Sequence, residues 1–138
     1  MERTLCIIKP DAIRKKVEGN IIQMILDAGF KIIALKLIRL TNERAMSFYE
    51  IHKDKPFFKG LINFMTSGPV IVIALSKENA VEDFRNLIGA TDPLKANNGT
   101  IRKLFATDVQ ENAVHGSDSI ENGIREVSFF FDESEIID

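Results

Sequence analysis

Tryptophan is absent from this 138-residue chain, cysteine and tyrosine occur once each, and histidine twice. One cysteine cannot close an intramolecular disulfide, which suits a reducing compartment. Cys6 lies in the apolar run Leu5-Cys6-Ile7-Ile8, where a small buried side chain is expected rather than a reactive thiol. No apolar stretch approaches the roughly 18 residues of a membrane-spanning helix, and no charged-then-apolar leader opens the chain, so a cytoplasmic protein without a membrane role is expected. An excess of one charge is missing too. The 18 Lys and Arg against 20 Asp and Glu leave a net charge of -2, which gives no bulk attraction for nucleic acid and leaves any phosphate binding to a few placed cations. No set of His, Cys, Asp and Glu has the spacing of a protein metal cage. With no internal repeat, low-complexity stretch or linker, residues 1–138 are expected to form one domain.

What is present reads as an ordinary globular chain: 45% hydrophobic and 28% charged, long enough to bury a core. Leu5-Cys6-Ile7-Ile8 is a buried strand stopped by a turn at Lys9-Pro10. Ile21, Ile22, Ile25 and Leu26 recur at helical spacing before Gly29, and Ile32, Ile33 and Ile38 mark a second strand. Thr41 to Arg44 cap a helix reaching about Ile51, and a second short helix follows Pro56. Val70 to Leu75 is the clearest strand, and a helix opened by Ser76 to Asn79 follows to about Leu87. Residues 88–111 are irregular except for a helix from Thr100. Ser117-Asp118-Ser119-Ile120 caps a helix that ends before a final strand, Val127-Ser128-Phe129-Phe130-Phe131. The order suits an α+β, ferredoxin-like sandwich: a four-stranded antiparallel sheet with helices packed on one face. Order alone also admits a doubly wound parallel sheet.

The most informative stretch is Asn112-Ala113-Val114-His115-Gly116-Ser117-Asp118-Ser119. It sets one of the two histidines beside a glycine and among hydroxyl and carboxylate groups. Neutral imidazole is a good nucleophile with two distinct ring nitrogens, and glycine permits a close approach. By itself the stretch is equally a surface turn with an unremarkable histidine.

This pattern resembles the active-site signature of nucleoside diphosphate kinases. Thr4 to Ala12 with its Lys9-Pro10-Asp11, Lys53-Asp54-Lys55-Pro56-Phe57-Phe58, Ser67-Gly68-Pro69-Val70 and Gly99-Thr100-Ile101-Arg102 are similar to further stretches of that family, in the same order. The resemblance implies the ferredoxin-like form and a reversible ping-pong transfer of a γ-phosphoryl group from a nucleoside triphosphate to a diphosphate. His115 is then the nucleophile, through Nδ1 in the family; Glu126 holds the other ring nitrogen, and Ser117 sits near the nucleophile and the transferred group. Tyr49 supports from nearby. Lys9, Arg85 and Arg102 are the implied phosphate cations, and Thr91 a hydroxyl donor. Phe57 is a base platform closed more weakly by Val109, with Phe58 left to the core, and Asn112 reaches the ribose. Mg2+ is implied, held mainly by the nucleotide, with Asp118 touching it through water.

Alone, each of these residues has a plainer reading. Glu126, Arg85 and Arg102 are ordinary solvated charges on helices, and Thr91 and Asn112 ordinary caps. Paired Phe57 and Phe58 are ordinary core. His52 is either an exposed helix residue or a group facing the α-phosphate, while Asp11 and Asp54 read as structural. The resemblance further implies a short, bacterial-type member that forms a homo-oligomer, a tetramer or hexamer, with a dimer left open. The loop Leu94-Lys95-Ala96-Asn97-Asn98 departs from the Pro-Gly approach of many relatives, in a region that helps oligomer contacts. Two other classes compete. Phe129-Phe130-Phe131 on a strand could stack RNA bases, but Asp132, Glu133 and Glu135 follow instead of basic residues. An inactive relative kept for protein interaction is opposed by the joint presence of His115, Lys9, Arg85, Arg102, Asn112 and Glu126.

Overall fold

The computed structural model describes residues 1–138. Its strands are β1 (Glu2–Ile8), β2 (Lys31–Ile38), β3 (Val70–Lys77) and β4 (Val114–Gly116), in the spatial order β2-β3-β1-β4. Every pairing is antiparallel, which excludes the doubly wound alternative. Helices α1 (Pro10–Arg14) and α2 (Glu18–Asp27) follow β1, and α3 (Asn42–Phe48) and α4 (Phe58–Met65) separate β2 from β3. Helices α5 (Ala80–Ile88) and α6 (Ile101–Phe105) lie between β3 and β4, and α7 (Ile120–Phe130) follows β4.

β1 and β3 are apolar on both faces, so both faces must be covered. Leu5, Ile7, Val70, Val72 and Ala74 face one core, with Phe48, Ile62, Met65, Val127 and Phe130 from α3, α4 and α7. Cys6, Ile8, Ile71, Ile73 and Leu75 face the other, with Ile21, Ile25, Phe84 and Ile88 from α2 and α5. The expected packing on one face thus describes the two crossover helices, α2 and α5. The inserted α3 and α4 and the terminal α7 cover the opposite face.

Two local readings are corrected. Val127 to Phe131 is not a strand: α7 runs through Phe130, starting where the Ser119 hydroxyl accepts from Asn122 N at 3.0 Å. Packing overrides the β-prone run, since Gly123, Val127 and Phe130 meet the core at four- and three-residue spacing on one helical face. With no aromatic strand there, base stacking on the sheet by Phe129 to Phe131 loses its footing. The fourth strand is instead the His115 segment, three residues long and too short to show a period. The Lys9-Pro10 turn also opens a short helix, with Pro10 in its first turn, where the missing N–H is no loss.

Candidate active site

β1 and β4 lie side by side with Ile7 opposite His115, so the residues leaving β1 and the histidine meet at one end of the sheet. A cleft of about 550 Å³ opens there. Its wall includes Lys9 from the end of β1, Tyr49 and His52 after α3, Phe57 at the start of α4, and Arg85 on α5. Thr91, Arg102, Val109, Asn112, His115, Asp118 and Glu126 complete the set that the motifs had scattered over more than 110 positions.

The imidazole is fixed from behind. His115 Nε2 lies 2.8 Å from Glu126 Oε1, leaving Nδ1 uncommitted in a side chain 18% exposed. Burial pushes the Glu126 pKa up, but the hydrogen bonds from His115 and Ser117, helped by charge, bring it below the usual carboxylate value. An ionised Glu126 accepts, so Nε2 carries the ring proton and Nδ1 the lone pair. Ser117 Oγ donates to the same carboxylate oxygen at 2.7 Å and accepts from Leu5 N at 3.0 Å. It is fully buried behind the cleft wall, and its hydroxyl orients Glu126. Phe48 meets the imidazole edge-on, with centroids 5.5 Å apart.

Three cations face the cleft, and none is paired with a carboxylate within salt-bridge distance. Lys9 Nζ donates to Asn112 Oδ1 at 2.8 Å. Arg102 donates to the Gly89 carbonyl at 3.0 Å and the Val114 carbonyl at 2.9 Å. Burial, and then the neighbouring Arg102 charge, lowers the Lys9 pKa to about 8; burial and Arg85 lower Arg102 to about 10. An anion arriving among these like charges relieves their mutual repulsion in the low-dielectric wall. Phe57, half exposed, lines the cleft as Val109 does, while Phe58 packs into the core. His52 leans on Phe57 with ring centroids 5.5 Å apart. Asn112 Nδ2 donates to Val109 O at 2.9 Å, tying the ribose candidate to the base slot.

Tyr49 is buried with its hydroxyl unpartnered; burial and the Glu126 charge push its pKa up. Asp118 is exposed in the cleft, and the Asn122 amide, donating at 2.6 Å, leads the causes that hold its carboxyl below the ordinary value. Asp54 lies outside the cleft, and Asp11 is buried beneath it. No group of three or more His, Cys, Asp and Glu is arranged to hold a metal ion, and Asp118 is a carboxylate on the cleft wall. Sequence reasoning missed Phe48, Ile51, Leu61, Gln110, Asn122 and Arg125 on the wall. Only the i, i+4 spacing of Asp118 and Asn122 held a signal for any of them.

A family model described as nucleoside diphosphate kinase matches residues 2–136. Relatives named nucleoside diphosphate kinase include one from Chlorobaculum tepidum, 55% identical over 99% of this chain and 98% of its own length. Another, from Salinibacter ruber, is 54% identical over 99% and 96%. The fold is similar to the Aquifex aeolicus nucleoside diphosphate kinase, with a TM-score of 0.96 at 44% identity, covering 99% of both chains. It is also similar to the Halobacterium salinarum enzyme in complex with CDP, with a TM-score of 0.95 at 39% identity, covering 99% of this chain and 91% of that one. Identity at this level over essentially the whole chain, on a superimposable fold, places the protein in the nucleoside diphosphate kinase family.

Proposed function

We propose that the chain, acting as a single catalytic unit, is a nucleoside diphosphate kinase whose reaction runs through His115. The observation that carries the assignment of the nucleophile is the imidazole held through Nε2 by an ionised Glu126, its Nδ1 free beside three unpaired cations. Nδ1 attacks the γ-phosphorus of a nucleoside triphosphate, the bond to the β-bridging oxygen breaks, and the diphosphate leaves with that electron pair. Nε2 keeps its proton and donates it to Glu126 in a hydrogen bond, and the carboxylate faces the positive charge of the phosphorylated ring. A second nucleoside diphosphate then attacks the phosphohistidine by the reverse geometry. Lys9, Arg85 and Arg102 receive charge that spreads over the phosphate oxygens, and Thr91 donates a hydroxyl to them. Phe57 and Val109 hold the base by a π-face that every base possesses, and Asn112 with Lys9 holds the ribose. Tyr49 supports the Glu126 side of the ring. Mg2+ carried by the nucleotide would neutralise phosphate charge, and Asp118 is the carboxylate that would meet it through water.

Three further statements belong to the same reading. The chain works in the cytoplasm, in keeping with one buried cysteine and with no helix long and apolar enough to cross a membrane. Nucleoside di- and triphosphates are its ligands and nucleic acid is not. It forms a homo-oligomer, tetramer or hexamer, supported by Leu35 and Leu37 lying 46% and 65% exposed on the edge strand β2.

The test is brief incubation with γ-labelled ATP and Mg2+, followed by unlabelled GDP or UDP. Acid-labile, base-stable label on His115 that chases into GTP or UTP is expected, and His115→Ala abolishes it. Label elsewhere, or turnover that survives His115→Ala, overturns the nucleophile assignment.

A further inference from the structure

Ala113 is fully buried, with φ at +74°, a left-handed conformation that a residue bearing a Cβ rarely adopts. Val114 N donates to Asn112 O at 2.9 Å and closes a three-residue turn around it. The turn lies between two cleft residues, Asn112 and His115, and sets the direction in which the chain enters β4. If Ala113 were extended, the next peptide would rotate, and the imidazole would leave its alignment with Glu126.

A strained turn persists only where its surroundings over-determine it. Here the chain leaving β1 grips the Ala113 residue through both of its polar groups. Lys9 N donates to Ala113 O at 2.9 Å, and Ala113 N donates to Asp11 Oδ2 at 3.0 Å. The first bond is backbone to backbone, and any residue that keeps its N–H can make it. The second requires a side-chain acceptor of this reach, rooted in the first turn of α1. Asp11 is 2% exposed, its other carboxylate oxygen has no partner, and it forms no ion pair within salt-bridge distance. Burial raises its pKa against the pull of the Ala113 amide and the Lys9 charge. Placing a carboxylate there is unfavourable for stability unless the amide it holds matters.

We propose that Asp11 is a positioning residue for phosphoryl transfer, clamping the left-handed Ala113 turn so that His115 and Asn112 face the cleft together. The inference rests on His115 as the nucleophile.

Transfer from γ-labelled ATP to His115 is followed in a single turnover for the wild type, Asp11→Ala, Asp11→Asn and the double variant Asp11→Ala/Ala113→Gly, with thermal unfolding of each. Glycine takes this φ without a Cβ penalty, so Ala113→Gly removes the need for the clamp without altering a cleft residue. Asp11→Ala is expected to slow transfer by roughly 10- to 100-fold, the scale of a small misplacement of the reacting group. Asp11→Asn keeps an oxygen to accept from Ala113 N and stays within about three-fold of wild type. The double variant regains about ten-fold over Asp11→Ala, a non-additivity that links the two positions. A purely space-filling role for Asp11 would lower the melting temperature without that recovery, because glycine does not refill the lost volume. If Asp11→Ala alone fails to fold, recovery of folding and transfer in the double variant supports the clamp, and its absence refutes it. Asp11→Ala within about two-fold of wild type, or a double variant no faster than Asp11→Ala, overturns the inference alone. A wild type that turns over without labelling His115 overturns the nucleophile assignment and the inference with it.

Discussion

Lys9 is asked to be buried and charged at once. Its ammonium sits in the wall of the cleft with a pKa lowered to about 8 from 10.5, burial being the first cause and Arg102 the second. Two pH effects of opposite sign result. Between about 8 and 10.5 the unfolded chain holds a proton that the folded chain has released, so this group's contribution to stability grows as pH rises through that window. Activity moves the other way, because a neutral amine no longer attracts phosphate. The kcat/KM profile, which reports the free enzyme, is expected to fall above about pH 8, while kcat, measured with phosphate beside Lys9, holds to higher pH. A kcat/KM profile flat to pH 10 would contradict the lowered pKa of Lys9, not its charge. Arg102 and Phe57 give sharper tests. Arg102→Ala is expected to lower kcat on the order of 10²–10³-fold, as for another preorganised donor to developing charge. Phe57→Ala is expected to weaken nucleotide binding by about 1–3 kcal/mol, with similar losses for purines and pyrimidines in a titration series. A loss confined to one class of base would mean that Phe57 reads the base edge and is not simply a stacking platform.

At the scale of elements, α7 shows how a helix can be tied to the chemistry through its closest contact. It lies so near β1 that a methyl group at Gly123 would be driven into the Arg3 carbonyl oxygen. Helix propensity favours Gly123→Ala by about 0.5–1 kcal/mol. The clash is with rigid backbone, and overpacking of this kind costs about 1–3 kcal/mol, so packing wins. Gly123→Ala is expected to lower the melting temperature and to slow phosphoryl transfer, because Glu126 is three residues along the same helix. Retained stability would mean that α7 can lift from β1 without strain. The same helix reads poorly in sequence. Phe129, Phe130 and Phe131 are β-prone in isolation, and only contact with both β1 and α3 selects the helical face. Thr41, Thr100 and Ser119 behave in the opposite way, since each caps the helix that its local pattern predicts.

Across the whole molecule, the sheet has two apolar faces and one exposed apolar edge. α2 and α5 cover one face, and α3, α4 and α7 the other, but β2 presents Leu35 and Leu37 outward. The C-terminal segment shields only part of this strand: Ile137 N donates to Ile33 O at 2.8 Å, and Lys36 pairs with Glu135 at 2.7 Å. The ion pairs of Lys36, and of Arg3 with Glu133 and Asp138, are substantially exposed and add little to stability. Sedimentation velocity is expected to show assemblies of the 15.5 kDa chain, and Leu35→Glu with Leu37→Glu to shift them toward smaller species. A monomer in the unmodified protein at micromolar concentration would refute the homo-oligomer.

The sequence by itself determined the apolar strands at Leu5 to Ile8 and Val70 to Leu75 and the caps, and it offered His115 as the candidate nucleophile. These are properties of neighbouring residues: hydrophobic period, turn chemistry, and imidazole beside glycine. The tertiary structure alone decided that the His115 segment is a strand, because three residues have no period and acquire their conformation from pairing with β1. It alone decided that Phe129 to Phe131 do not form a strand, because burial against β1 and α3 outweighs local preference. It also decided which ring nitrogen of His115 is free. Glu126 lies eleven positions away, and its nearness to Nε2 exists only because α7 folds back across β1.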